Sequence, residues 1–181
     1  MITKNSLLNV DLILGEIPKG DNLHVADLGC GNFGFFVFPL ARLVGKQGKV
    51  YAVDIIKSSL DEVSRRARLE TLNQIEAVWS NLEIFGATKI EAGKLDAALL
   101  VNTLYQASNS LDMLSESIRM IKPGGSLIIV DWNDEHPVGP VKDRHIKEAK
   151  LKTALSQLNL ELESEFNPGK FHYGLVFKKL N

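Results

Sequence analysis

Of the 181 residues only Cys30 is a cysteine, so no disulfide can close within the chain, and no cluster of histidine and cysteine has zinc-ligand spacing. No structural metal is expected. Charge of one sign is also lacking: 21 basic against 22 acidic residues leave a net charge of -1, so no global field draws the chain to nucleic acid or anionic lipid. The arginines at 65, 66 and 68 and the lysines between 142 and 152 read as solvated helix faces, without the aromatic stacking positions of an RNA-binding surface. There is no apolar run of about 18 residues to span a bilayer, and the opening MITKNSLLNV lacks the apolar stretch and small-residue cleavage site of a secretory signal. A cytoplasmic protein is expected. Repeats, low-complexity tracts and linkers are missing too. The composition, 45% hydrophobic and 24% charged, is that of a globular chain, and residues 1–181 read as one domain with a continuous core.

What is present is an alternation. Short apolar runs at 23–28, 49–54, 75–79, 95–101 and 126–131 suit strands buried on both faces. Helical patterns lie between them. Segment 58–69 opens with Ser59 three residues before Glu62, a capping-box spacing, and repeats Leu60, Val63 and Ala67. Segment 110–121 places Leu111, Leu114, Ile118 and Ile121 on one face before Lys122, Pro123, Gly124 and Gly125 stop it. An amphipathic helix over about 5–17 precedes the first strand, and Leu151, Leu155 and Leu158 mark a late one. Two β-like runs, 160–166 and 171–178, flank Asn167, Pro168, Gly169 and Lys170, a hairpin signal. The expected fold is a doubly wound α/β sandwich, its parallel sheet finished by an antiparallel pair.

Residues 25–36, VADLGCGNFGFF, end a strand in Asp27 and then read G-x-G-x-x-G at Gly29, Gly31 and Gly34. Such a loop holds the pyrophosphate of a dinucleotide or the methionine end of S-adenosylmethionine, which has no phosphates. In nicotinamide- and flavin-binding folds the residue two before the first glycine is usually apolar, since a carboxylate there repels pyrophosphate. Asp27 instead suits a ligand carrying an ammonium and a sulfonium. Asp54, ending VYAVD, can accept from ribose hydroxyls in either fold and does not discriminate. The structural alternative makes Asp27 a turn cap and Asp54 the cap of the helix near Ser58.

In this order the motifs resemble the class I S-adenosylmethionine-dependent methyltransferases over about 20–179: VADLGCG, VYAVDI, WSNLE, LDAALLVNTLYQ, IKPGGSLIIVDW and the closing hairpin. The resemblance implies a Rossmann-like, mostly parallel seven-stranded sheet with a C-terminal antiparallel hairpin, and S-adenosylmethionine as cofactor. It implies that Asp27, Gly29, Cys30 and Gly31 line the methionine end, with Asn102 beneath it. Asp54 would hold the ribose, Ile55 would lie against the adenine, and Asn81 and Leu82 would form the adenine edge. Two departures from the family pattern stand out. Phe33 occupies the usual place of the third glycine, with Gly34 one residue later, and Asn81 replaces a common Asp, accepting without the charge. Cys30 reads as a small packing residue, because no histidine or lysine motif points to it as a nucleophile.

Methyl transfer is an in-line displacement that orientation and exclusion of water can accelerate, so a dedicated base is optional. No catalytic residue is assigned. Candidates to face the acceptor are Tyr105 past the fourth strand, Asp131 and Trp132 at the end of the fifth, His136 in the loop after it, and His172 in the last strand. Each also has a structural reading, as turn cap, core edge or solvated loop. The resemblance leans toward small-molecule enzymes, including those that methylate quinone precursors. The alternatives are an NAD(P)-dependent oxidoreductase and a non-catalytic cofactor-binding partner subunit.

Overall fold

The structure, a computed structural model, describes residues 7–133 and 146–181. Seven strands form one sheet in the order β3-β2-β1-β4-β5-β7-β6. The strands are β1 (His24–Leu28), β2 (Lys49–Asp54), β3 (Ile75–Trp79), β4 (Leu95–Val101), β5 (Ile121–Trp132), β6 (Leu160–Gly169) and β7 (His172–Lys179). The first five run parallel; β7 enters antiparallel beside β5 and β6 folds back along its outer side. Helices cover both faces, as continuous apolar strands require. On one face, α1 (Val10–Gly15), α2 (Val37–Leu43) and α3 (Lys57–Leu69) pack Ile13, Phe38, Leu40, Leu60 and Val63 on Val25, Val50, Leu99, Ile128 and Val176. On the other, α4 (Ser110–Met120) and α5 (Glu148–Ser156) pack Leu114, Ile118, Leu151 and Leu155 on Ala26, Val53, Leu100, Ile129 and Phe177. Strand order reverses between β1 and β4, and a crevice opens there at the carboxyl ends of the strands.

Several boundaries differ from the sequence reading, each for a local reason. The described part of the first helix is one and a half turns long, because the Asn9 side chain accepts from Leu12 N at 3.1 Å and caps it there. Ser59 is not a cap: α3 starts after Ile56, whose amide is held by Asp54 Oδ1 at 2.8 Å, and buried Ser59 bonds Asn32 of the glycine loop. The buried face of α4 runs through Met113, Leu114, Glu116, Ser117, Ile118 and Met120, which leaves Leu111 exposed and hands Ile121 to β5, opposite Leu95. Pro168 lies inside β6 rather than in the turn. The pairing with β7 skips from Phe166 to Gly169, and an edge strand tolerates proline at such an irregularity because no ladder donor is needed.

Among the described residues no helix is long and apolar enough to cross a membrane. Leu100 is fully buried at the centre of the sheet, opposite Ile129. Leu100→Ala should lower unfolding free energy by about 2–5 kcal/mol, the cost of an aliphatic cavity in a close-packed core, measured from urea denaturation curves.

Candidate functional site

The crevice at the strand reversal contains a cavity of about 500 Å³. Its walls come from four loops: Gly29, Gly31, Asn32 and Phe33 after β1; Asp54, Ile55 and Ile56 at β2; Ser80 to Glu83 after β3; and Thr103, Gln106 and Ala107 after β4. Met113 of α4 and Ser59 of α3 complete it. Of the cofactor residues read from the sequence, Gly29, Gly31, Asp54, Ile55, Asn81 and Leu82 therefore line one cavity. Cys30 and Asn102 are adjacent in the chain to this lining, and Asp27 lies two residues before it, without any of the three being part of it.

The glycine loop is shaped by backbone hydrogen bonds. Gly29 and Cys30 donate their amides to Val53 O at 2.8 and 3.0 Å, so the loop folds over the end of β2. Gly29 has φ +85°, and a Cβ there would lie 2.6 Å from Thr103 Cγ2. Only glycine fits. Gly31 N donates to Asp54 Oδ2 at 2.8 Å, the oxygen not engaged by Ile56 N. Asp54 is thus both loop clasp and cavity wall, and each oxygen retains a lone pair for a ligand hydroxyl. Asn81 Oδ1 accepts from Glu83 N at 2.9 Å, which fixes the turn that presents this wall.

Asp27 is 3% exposed, and its Oδ2 has no hydrogen-bond donor among the described residues; Asn102 Oδ1, buried on a residue with φ +53°, has none either. Two buried acceptors without donors beside a positive-φ loop are places where an added hydrogen-bond donor would be favourable. Burial, and then the Asp54 carboxylate, push the Asp27 carboxyl up to about 7. The same surroundings push the buried Cys30 thiol well above its usual range, by desolvation first and then by Asp27 and Asp54. A protonated thiol is no nucleophile.

The acceptor candidates form a second group, at the ends of β4, β5 and β7. Buried Asp131 accepts from Tyr105 N at 3.2 Å through Oδ2 and from Trp132 N at 2.8 Å through Oδ1, tying the segment after β4 to β5. Trp132 lies opposite His172, their ring centroids 4.3 Å apart. His172 is buried, and its neighbour Tyr173 turns to the other face, where its hydroxyl donates to Ile146 O at 3.1 Å. None of these residues lines the 500 Å³ cavity, and His136 lies outside the described residues.

Sequence reasoning missed one ion pair behind the cavity. Glu116 is fully buried, and its carboxylate receives the Arg119 guanidinium through two bonds of 2.8 and 2.9 Å and the amides of Gly86 and Thr88 at 2.7 and 2.9 Å. A signal existed: Met113, Ser117 and Met120 are spaced as a helix face, and Glu116 falls within it.

A mostly parallel seven-stranded sheet closed by a reversed hairpin, with a glycine loop and an acidic residue ending β2, is the architecture of the class I S-adenosylmethionine-dependent methyltransferases. Comparison with known proteins agrees. A family described as "methyltransferase domain" matches residues 19–175, and the chain belongs to that family. A structure titled as a SAM-dependent methyltransferase from Aquifex aeolicus superposes with a TM-score of 0.83 at 24% identity, covering 94% of this chain and 89% of that one. A demethylmenaquinone methyltransferase from Lactococcus lactis is 29% identical over 119 residues, 66% of this chain and 45% of that protein. A ubiquinone/menaquinone biosynthesis C-methyltransferase from Francisella tularensis subsp. novicida is 28% identical over 138 residues, 75% and 52% of the two chains. This chain spans about half the length of these two curated relatives.

The Glu116 site has a signature in acid. Desolvation alone would raise its pKa; the Arg119 guanidinium and the Gly86 and Thr88 amides overcome that and hold it at about 2. An unfolded glutamate titrates at about 4.5, so the stabilisation is complete above that pH and is lost as pH falls toward 2. Urea midpoints recorded between pH 6 and pH 2.5 should drop through this window, and Glu116→Gln should start lower and drop less.

Proposed function

We propose that this chain binds S-adenosylmethionine in the 500 Å³ cavity and transfers its methyl group to a small-molecule acceptor. The observation that carries the reading is the pair of buried, donorless acceptors, Asp27 Oδ2 and Asn102 Oδ1, beside the glycine loop. A pyrophosphate brings acceptors and negative charge to that place, whereas the methionine end of S-adenosylmethionine brings an ammonium with three donors and a sulfonium. Charge, donor count and cavity size fit the cofactor.

In this reading Gly29, Cys30 and Gly31 present backbone to the methionine end, and Asn102 accepts from below. Asp54 receives the ribose hydroxyls, Ile55 covers one face of the adenine, and Asn81 and Leu82 border its edge. When bound, the cofactor supplies a methyl carbon activated by the sulfonium. The chain aligns the acceptor and keeps water out, with no base required of it. In this reading the half-buried rings of Tyr105 and Trp132, with buried Asp131 and His172 behind them, would border the approaching acceptor, and two such aromatic rings suit a flat, apolar molecule. The two curated relatives are named for quinone methylation, which makes demethylated quinones and their phenolic precursors the first acceptors to assay.

Calorimetric titration with S-adenosylmethionine and, separately, NADH tests the proposal. Saturable binding of S-adenosylmethionine alone is expected; binding of NADH alone would replace this reading with the oxidoreductase one. Asp54→Ala should weaken S-adenosylmethionine by about 1.5–3 kcal/mol, the range of hydrogen bonds to a charged group, and an unchanged Kd would remove Asp54 from the ribose site. Affinity should also rise with pH through about 7, because the unliganded Asp27 holds its proton below that value and the cationic ligand favours its carboxylate. Titrations below pH 7 in buffers of different ionisation enthalpy should show proton release, and Asp27→Asn should abolish it. A pH-independent affinity would separate Asp27 from the ligand.

A further inference from the structure

Asn81, Leu82 and Glu83, one wall of the cavity, stand at the start of a loop that runs from β3 to β4 and has no regular structure of its own. A loop of this length keeps a defined shape only if its backbone groups find partners. Here they find them on α4. Glu116 takes the amides of Gly86 and Thr88, and Arg119 donates Nη2 to Thr88 O and Nη1 to Ile90 O, both at 3.0 Å. The Arg119 carbonyl accepts from Gly93 N at 3.0 Å. Two further links complete the tie: Ser80 Oγ to Thr88 Oγ1 at 2.9 Å, and Asn109 N to Glu83 Oε2 at 2.7 Å. One buried ion pair thus holds four backbone groups of the loop between residues 86 and 90, while α4 itself contributes Met113 to the cavity.

Stability alone is a poor reason for such a pair. Burying a charge as fully as Glu116 costs several kcal/mol in desolvation even with the partly exposed Arg119 guanidinium beside it, and well-packed apolar residues in place of such a pair are often neutral or stabilising. What apolar side chains cannot do is take hydrogen bonds from two amides and give them to two carbonyls. The pair is suited to holding a backbone shape, and the backbone it holds leads directly to the cavity wall.

We infer that Glu116 and Arg119 are positioning residues for the cofactor cavity. Neither touches the ligand; they set the place of Asn81, Leu82 and Glu83 against Ile55 and Met113, and so set affinity for the adenosine portion. This rests on the S-adenosylmethionine reading above.

The test compares the Kd of S-adenosylmethionine for the unaltered protein, Glu116→Gln, Arg119→Lys and Leu155→Ala at a temperature where circular dichroism shows all four folded. Leu155 is fully buried on α5, which packs against β6 at the opposite border of the sheet from β3, so its loss destabilises the fold while leaving every hydrogen bond between the loop and α4 in place. Glu116→Gln should raise Kd tenfold or more, and Arg119→Lys, which keeps the charge but not the fork, should raise it severalfold. Leu155→Ala should leave it within twofold, even with a similar fall in Tm. Amide exchange at Gly86 and Thr88 should speed up in the Glu116 variant and not in the Leu155 variant. A Kd within twofold of the unaltered protein for both latch variants, or an equal rise in Leu155→Ala, overturns the inference. Arg119→Lys carries the test if Glu116→Gln does not fold. Failure of the unaltered protein to bind would instead sink the cofactor reading, and this inference with it.

Discussion

The arrangement depends on a carboxylate placed where water cannot reach it. Asp27 is the penultimate residue of β1, two before the first glycine of the loop, and its Oδ2 has no donor among the described residues. With the Asp54 carboxylate near, each added negative charge makes the first harder to keep. The loop answers this by turning amides toward the acids: Gly31 N and Ile56 N both go to Asp54, leaving Asp27 to whatever cation arrives. Above about pH 7 the unliganded fold holds a buried charge whose Oδ2 has no donor among the described residues. In the function proposed above, an ammonium would relieve it, and the electrostatic defect would itself favour binding.

Around that point the molecule separates rigid from adaptable parts. Two apolar layers fix the strands, since alternate residues of β1, β4, β5 and β7 enter one core or the other. The cavity walls come from loops, each tied down by a polar contact particular to it. Ser59 secures Asn32, Asp54 secures Gly31, Asp131 secures the segment at Tyr105, and Glu116 with Arg119 secures the stretch after β3. A ligand site on loops acquires precision from such contacts, because a loop contributes little packing to hold itself.

What the sequence made legible follows the same division. Strands buried on both faces are continuous apolar runs, and G-x-G-x-x-G before a helix has few other uses, so the sheet and the glycine loop could be read directly. Asp27 and Asp54 stood out because charge is rare at the end of such runs. Ser59 was misread as a cap because its spacing to Glu62 mimics a capping box, while the true constraint on α3 came from Asp54, two residues before the helix boundary. The Glu116–Arg119 pair was illegible as a latch for a deeper reason: its partners are backbone amides and carbonyls of Gly86, Thr88 and Ile90, which leave no mark in side-chain identity. Pro168 inside β6 was hidden similarly, since proline normally marks a turn and only the irregular pairing with β7 makes room for it.

The two borders of the sheet are unequal. At β6, the N-terminal segment crosses the strand end: Asn9 N donates to Pro168 O at 2.7 Å, Glu16 reaches Ser164 at 3.4 Å, and a Cβ on Gly169 would lie 2.2 Å from Leu7 O. At β3, no second neighbour follows among the described residues, and the bonds from Val50 N to Gln74 O and from Ser80 N to Asp54 O turn every other peptide group toward β2. The groups between, at Ala77 and Trp79, face outward. Among the described residues the two borders therefore differ in what they leave open: β3 turns ladder groups outward, on a strand only five residues long and flanked by the Glu76–Lys49 pair, whereas the end of β6 is already taken at Pro168 by Asn9.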